Sequence, residues 1–217
     1  MKRNGIINRV NKGLRVWLFE GGTLAQQTDF TCVPEGRKTV SELSQLLEAL
    51  GRKSFLEEQY FLPALALQAP YVLSLMEEEN RQVREHYLRL AKSLDNYLQP
   101  GTDGHYRATG LYIQQTYMEF LSHMLIYMNR QESLFSGLDI RDDKTGSADR
   151  INLEENHAME FTQWMLKGMN SREISEWMES GSEGSYNWKR RILMSLSPER
   201  LQAAGLNIGS GLSLAAA

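Results

Sequence analysis

The segment TVSELSQLLEALGRKSFLEEQYF (residues 39–61) carries the clearest structural signal in the chain. Mostly apolar residues recur in it every three or four positions, which is the spacing of one face of an α-helix. That face consists of Val40, Leu43, Leu47, Leu50, Ser54, Glu57 and Phe61. Thr39 followed by Glu42 is a capping-box pattern, which predicts that the helix begins at Thr39. The segment therefore predicts a long amphipathic helix whose inner face includes a carboxyl group.

Three other segments show the same helical spacing. The four long helices are predicted from residue 4 to 20, from 39 to a break at Pro63, from Pro70 to a stop at Pro100-Gly101, and from 106 to 136. Gly21-Gly22 is expected to end the first helix, and residues 23–36 are expected to form a long connection. Pro63 is expected to kink or break the second helix, because proline cannot donate a backbone hydrogen bond.

These helices predict an all-α fold, an antiparallel four-helix bundle formed by residues 1–150. The polar segment 139–150 is expected to be an exposed loop. Shorter helices are predicted at 153–168 and 171–180, within a helical extension (151–205) that packs on the bundle. The Gly-rich segment 206–217 is predicted to be a flexible tail.

Composition excludes several classes of protein. The 217 residues carry a formal net charge of −3, which argues against a nucleic-acid-binding surface. The single cysteine, Cys32, excludes an internal disulfide framework and a cysteine-based zinc site. The N-terminus is basic but has no continuous apolar region, and no segment is apolar enough to span a membrane. A cytoplasmic protein is therefore expected.

Polar residues interrupt the apolar face of each predicted long helix. They are Asn11, Glu57, Asn80 and Gln131, with Lys53 and Tyr127 one helical turn before Glu57 and Gln131. Buried polar groups are costly unless they find partners, so these six side chains are predicted to form a shared cluster inside the bundle. The alternative is that some of them lie at the edges of the faces and reach solvent.

Several segments resemble the hemerythrin-like (HHE cation-binding) family in its bacterial form. They are NKGLRVWLF (11–19), TDF (28–30), EEQYFLPALALQAP (57–70), LMEEENRQVREHYLRL (75–90), FLSHMLIYMNRQESL (120–134) and WMLKGMNSREISEWM (164–178). Each string alone is weakly specific, and their order and spacing together carry the resemblance over most of residues 8–180. The resemblance implies a four-helix bundle with a di-iron centre held by histidines and carboxylates.

The positions that correspond to the family's metal ligands are mostly substituted. By this resemblance the histidine positions hold Asn11, Lys53, Leu56, Asn80 and Tyr127, and the carboxylate positions hold Glu57 and Gln131. A di-iron centre needs several neutral imidazoles and bridging carboxylates, whereas amides are poor iron ligands and an ammonium has no lone pair. The sequence therefore predicts that the chain holds no di-iron centre and no other cofactor.

Lys53 suggests how the interior replaces the charge of the lost metal. We expect its ammonium group to pair with Glu57 and with the amide carbonyl of Asn80 or Gln131, because a paired buried charge is tolerable and an unpaired one is not. Glu57, Glu119 and His123 are a weak alternative metal site, since Glu119 and His123 share one helix face.

The favoured functional hypothesis is a non-enzymatic, hemerythrin-like protein with a structural or regulatory role. Its partner is predicted to be a protein or a small ligand in the former metal cavity. The first alternative is a divergent metal-binding member that senses iron or oxygen, and the second is an enzyme using Glu57 or Tyr127 as an acid or base. Methionines at 159, 165, 169 and 178 favour either packing of the C-terminal segment or a homodimer.

Overall fold

The computed structural model describes residues 3–136, 164–179 and 199. In chain order the elements are α1 (Arg3–Gln27), α2 (Val33–Leu56), a π-helix (Glu57–Phe61), α3 (Leu62–Gln68), α4 (Pro70–Leu98), α5 (Asp103–Ser136) and α6 (Ser171–Glu179). Residues 164–168 are also helical. No strand occurs among these residues, so the predicted all-α class is confirmed.

α1 continues seven residues beyond its predicted end at Glu20. Gly21 and Gly22 lie inside the helix, and they serve packing rather than termination. A Cβ at Gly21 would collide with the Tyr117 hydroxyl of α5 and would approach Leu46 of α2. The absence of a side chain lets Tyr117 reach the α1 backbone, where its hydroxyl donates to the Leu18 carbonyl at 2.7 Å.

α2 begins six residues earlier than predicted, at Val33, so the expected connection over residues 23–36 was wrong. Pro34 lies in the first turn of α2, a position that suits its fixed φ and its missing N–H. Thr39 therefore lies inside the helix. Its hydroxyl pairs at 2.7 Å with that of Thr28, just after α1, and this contact joins the C-terminal end of α1 to α2.

The predicted interruption near Pro63 is present as a change of helix type. The chain passes from α2 through the π-helix into α3, and Pro63 is the second residue of α3. Proline cannot donate to the preceding turn, which weakens a regular α-helical hydrogen-bond ladder at this point. π-Turns of this kind are often found at functional sites, and this one begins with Glu57.

α4 and α5 follow the predicted bounds closely. α4 begins at Pro70, as expected, and Pro100-Gly101 follows its last turn. α5 begins at Asp103, three residues before the predicted start, and the Thr102 side chain accepts the N–H of His105 at 3.4 Å. The two helices pack along their length, with Ser93 and Thr116 paired at 3.2 Å.

The long helices contact one another in a closed series. α1 meets α5 again where Gln114 Nε2 donates to the Ala25 carbonyl at 3.0 Å. α2 packs on α4, with Gly51 against Tyr87. The shared core consists of fully buried side chains, which include Leu18, Leu43, Leu46, Leu90, Leu94, Tyr97, Ile113, Tyr117 and Phe120.

The chain divides into two compact units, Arg15–Arg141 and Met1–Leu14 together with Asp142–Ala217. All contacts given above belong to Arg15–Arg141. This division groups the first 14 residues with the C-terminal segment, whereas the sequence prediction had placed them in a bundle of residues 1–150.

In the unit that contains α6, Lys12 pairs with Glu173 at 2.7 Å. α6 is capped reciprocally: Asn170 Oδ1 accepts the N–H of Glu173 at 2.9 Å, and Glu173 Oε2 accepts the N–H of Asn170 at 2.8 Å. This is the arrangement of a capping box, and it explains why the helix starts at Ser171.

Some predicted segments lie outside the described residues. They are the loop 139–150, most of the helix 153–168, most of the remaining extension to residue 205 and the tail 206–217. Among the residues that are described, no helix combines the length and the apolar content needed to cross a lipid bilayer.

Replacement of Gly21 by alanine tests the close packing of α1 against α5. The added methyl group would displace the buried Tyr117 ring from its hydrogen bond to Leu18. We expect the free energy of unfolding, measured by urea denaturation, to fall by about 1–3 kcal/mol, the usual cost of overpacking a core.

Gly104→Ala is the matched control, since a Cβ there would meet only the Thr102 hydroxyl oxygen, at 3.9 Å. It should leave stability unchanged or raise it by up to about 1 kcal/mol, because alanine restricts the unfolded chain. A Gly21→Ala variant as stable as the parent would contradict the packing role of this glycine.

Candidate functional site

Lys53 and Glu57 form an ion pair inside Arg15–Arg141. Lys53 lies in the last turn of α2, and Glu57 is the first residue of the π-helix, so the two share one helical face. Lys53 Nζ donates to Glu57 Oε1 at 2.5 Å, and the side chains are only 2% and 8% exposed. Charges this deeply buried persist only when each neutralises the other.

Two side chains of α5 complete the contacts of the Glu57 carboxylate. Gln131 Nε2 donates to Oε1 at 2.7 Å, and the Tyr127 hydroxyl donates to Oε2 at 3.3 Å. Lys53 Nζ also donates to Gln131 Oε1 at 3.3 Å and lies 5.5 Å from the centre of the Tyr127 ring, within the range of a cation–π contact. We call Lys53, Glu57, Tyr127 and Gln131 the Lys53 cluster.

Tyr127 acts in this cluster as a hydrogen-bond donor. Burial, together with the negative charge of Glu57, raises the pKa of Tyr127 well above its ordinary value of 10. The phenol therefore keeps its proton at neutral pH and can donate it to Glu57. Because this phenol stays protonated, it is a poor general base, which argues against Tyr127 as the base of the enzyme hypothesis.

The other two predicted members of the cluster are Asn80 and Asn11. Asn80, on α4, is half-buried, and its Nδ2 donates to Glu58 at 3.4 Å rather than to Glu57. Asn11 is fully buried, but it belongs to the unit that contains α6. Of the two amides expected to face Lys53, Gln131 does so because α5 brings it against the α2 face.

The donor set of the Lys53 cluster does not fit a di-iron centre. An ammonium group has no lone pair, and here it occupies the contact of Glu57 that a cation would need. The remaining groups are one carboxylate, one protonated phenol and one amide, with no imidazole among them. Among the described residues, no three His, Cys, Asp or Glu side chains are grouped so that they could hold a metal ion.

The weak alternative site of Glu57, Glu119 and His123 is therefore not formed. Glu57 is engaged by Lys53, whereas Glu119 pairs with Arg89 at 2.9 Å. His123 stacks on His86 of α4, with ring centres 3.9 Å apart. Glu119 and His123 share a helix face as predicted, but that face meets α4 and not Glu57.

The pairing of His86 with His123 was not recognised in the sequence, although the signal was present. α4 and α5 are antiparallel, so each step of seven residues back along α4 is matched by seven forward along α5. Ser93, His86 and Glu79 thus meet Thr116, His123 and Arg130 in turn. The short connection between α4 and α5 fixes the register of the two helices. This register predicts that His86 meets His123.

A pocket of about 260 Å³ adjoins the Lys53 cluster. Its walls come from α2, the π-helix, α4 and α5, and Lys53, Glu57 and Tyr127 contribute to them. Its volume lies just below the roughly 300–1,000 Å³ of typical ligand pockets, so it can admit a small molecule. The sequence alone did not reveal this pocket, because it arises where four elements meet.

Comparison with known proteins adds no assignment to this geometry. No family model, no curated protein and no solved structure matches the chain. The hemerythrin-like resemblance therefore remains a proposal, supported by the order of the sequence strings.

Replacement of Lys53 by methionine tests the charge balance of the cluster. It would leave the Glu57 carboxylate buried without a cation, which costs about 3–5 kcal/mol in comparable cases. We expect a loss of this size in the free energy of unfolding at pH 7, measured by urea denaturation. A Lys53→Met variant as stable as the parent would refute the pairing.

Two further variants distinguish the effect of an uncompensated buried charge on stability from the effect of removing any cationic side chain from α2. The double variant Lys53→Met with Glu57→Leu should recover most of the stability, because removing both partners leaves no uncompensated charge. Arg52→Met removes the exposed pair with Glu48 and should cost no more than about 1 kcal/mol.

The histidine pair predicts a loss of stability in mild acid. Burial, the neighbouring His123 and Arg89 lower the pKa of His86 below 6.5, against the opposing effect of Glu119 and Glu85. Below pH 6.5 the unfolded chain therefore takes up a proton that the folded chain resists. We expect the free energy of unfolding to fall progressively as the pH is lowered from about 6.5 to 5.

Denaturation at several pH values, with two variants, checks this explanation. His86→Gln should flatten the decline, because no imidazole titrates there. His123→Gln should flatten it partly, because one cause of the lowered pKa of His86 is removed. If neither variant changes the pH dependence, another group is responsible.

Proposed function

We propose that this chain is a hemerythrin-like four-helix bundle that has lost its di-iron centre and has a non-enzymatic, structural or regulatory role. The role is exercised by binding a small ligand in the former metal cavity. The proposal includes the cytoplasmic location expected from the sequence.

The closed series of helix contacts supports a four-helix arrangement within Arg15–Arg141. α1 contacts α5, α5 contacts α4, α4 contacts α2, and Thr28 and Thr39 join α1 to α2. Short connections between these helices favour antiparallel neighbours, as in other bundles. α6 and the helical residues 164–168 are the described parts of the short C-terminal helices.

The observation that carries the functional proposal is the ion pair of Lys53 with Glu57. By the resemblance, both residues stand at ligand positions of the family. The ammonium group supplies beside Glu57 the positive charge that iron would supply, and Gln131 and Tyr127 each donate a further hydrogen bond to the carboxylate. The interior is thus stable without a metal, and the adjoining pocket is left for another occupant.

Two of the C-terminal methionines, Met165 and Met169, favour packing over a homodimer, whereas Met159 and Met178 lie outside the side chains that the structure describes. Met165 and Met169 are 5% and 2% exposed in the single chain. Side chains that are already buried offer little surface to a second copy.

Metal analysis of the purified full-length chain tests the proposal. We expect iron far below one atom per chain, both as purified and after anaerobic incubation with ferrous iron followed by removal of the excess. Mass spectrometry of the metal content, together with a visible absorption spectrum, gives the result. Stoichiometric iron with charge-transfer absorption would overturn the proposal and favour the iron- or oxygen-sensing alternative.

A further inference from the structure

The pocket beside the Lys53 cluster runs from an exposed mouth to a buried floor. Leu50, Phe120 and Met124 are at most 4% exposed and form an apolar floor. Phe55 and Leu88 also line the pocket, yet they are 59% and 56% exposed, so they belong to its mouth. An occupant with an apolar body would cover side chains that water now contacts.

The pocket is lined by one buried ion pair and by two exposed charged side chains. Lys53 and Glu57 neutralise each other at its inner end. Glu58 and Arg84 are exposed and line the same pocket, one negative and one positive. Within the part of the chain that the structure describes, neither of these two forms an ion pair, and Glu58 accepts a hydrogen bond only from Asn80.

Asn80 of α4 links the positions of these two charges, Glu58 on the π-helix and Arg84 on α4. Asn80, which contacts Glu58, and Arg84 are four residues apart on this helix. Four residues are about one turn, a rise of roughly 6 Å. A single small molecule that carries both a positive and a negative group can therefore reach Glu58 and Arg84 at once.

We propose that the pocket binds a zwitterion with an apolar side chain, the chemical class of the apolar α-amino acids. The carboxylate pairs with Arg84, the ammonium group with Glu58, and the side chain enters the pocket against Phe120 and Met124. This assignment rests on the proposed function, because it requires the former metal cavity to hold a ligand instead of iron.

The charge pattern selects this class over simpler ligands. A carboxylic acid without an amine would gain from Arg84 but would lie near Glu58. An amine without a carboxylate would gain from Glu58 but would lie near Arg84. Only a zwitterion of small size satisfies both groups and fits about 260 Å³.

Isothermal titration calorimetry of the full-length, iron-free chain tests the proposal with three related probes. They are L-phenylalanine, 3-phenylpropionate, which lacks the amine, and phenethylamine, which lacks the carboxylate. We expect L-phenylalanine to bind at least about tenfold more tightly than either analogue, since each lost charge-assisted hydrogen bond costs about that factor.

Matched variants locate the contacts. Arg84→Gln should weaken L-phenylalanine binding about tenfold and leave the affinity for phenethylamine unchanged or increased. Glu58→Gln should do the same for L-phenylalanine and leave that for 3-phenylpropionate unchanged or increased. Arg81→Gln is the control, because Arg81 is exposed on the same helix and pairs with Glu78 and Glu85 outside the pocket.

Met124→Trp should abolish binding by filling the floor. A circular dichroism melt identifies a variant that fails to fold, in which case Met124→Phe replaces it. Binding of L-phenylalanine that persists in a folded, filled variant would overturn the assignment. So would failure of L-phenylalanine to bind, or equal binding in the Arg84→Gln variant.

The two levels of the proposal can fail separately. If 3-phenylpropionate binds the iron-free chain as tightly as L-phenylalanine, the zwitterion assignment is wrong and the ligand-binding function stands. Stoichiometric iron in the purified chain would overturn the proposed function itself.

Discussion

The polar interior of Arg15–Arg141 depends on the buried ion pair between Lys53 and Glu57. Two opposite charges that are almost inaccessible to water stabilise each other only at short range, and Nζ and Oε1 are 2.5 Å apart. The pair lies where α2 gives way to the π-helix, and Gln131 and Tyr127 extend it to α5. One carboxylate thereby connects helices that are far apart in sequence.

This arrangement explains how the interior can be stable without a metal ion, as the proposed loss of a di-iron centre requires. By the sequence resemblance, the positions of the family's histidines hold poor iron ligands, and Lys53 among them provides a fixed positive charge beside Glu57. The charge balance of the interior is kept, while redox chemistry requires a metal or cofactor that these side chains are unsuited to hold. The adjoining pocket combines apolar walls with charged groups at its mouth, which is why we propose that the function resides there.

Much of the helical pattern could be predicted, and the errors have identifiable causes. α4 and α5 were placed within a few residues, because proline and glycine mark the ends of strong apolar periodicities. Gly21 was misread as a terminus because its role is to admit Tyr117, a residue almost a hundred positions later. The start of α2 was misplaced because Pro34 was given less weight than the capping pattern at Thr39.

The sequence by itself determined the helical class, the positions of the polar residues on the helix faces and the small number of histidines. Spacing along one helix also predicted that Lys53 could reach Glu57, since residues four apart share a face. Only the tertiary structure decided that Gln131 and Tyr127 join this pair, whereas Asn80 turns to Glu58. The physical reason is that contacts between helices depend on register and rotation, which the periodicity of a single helix does not fix.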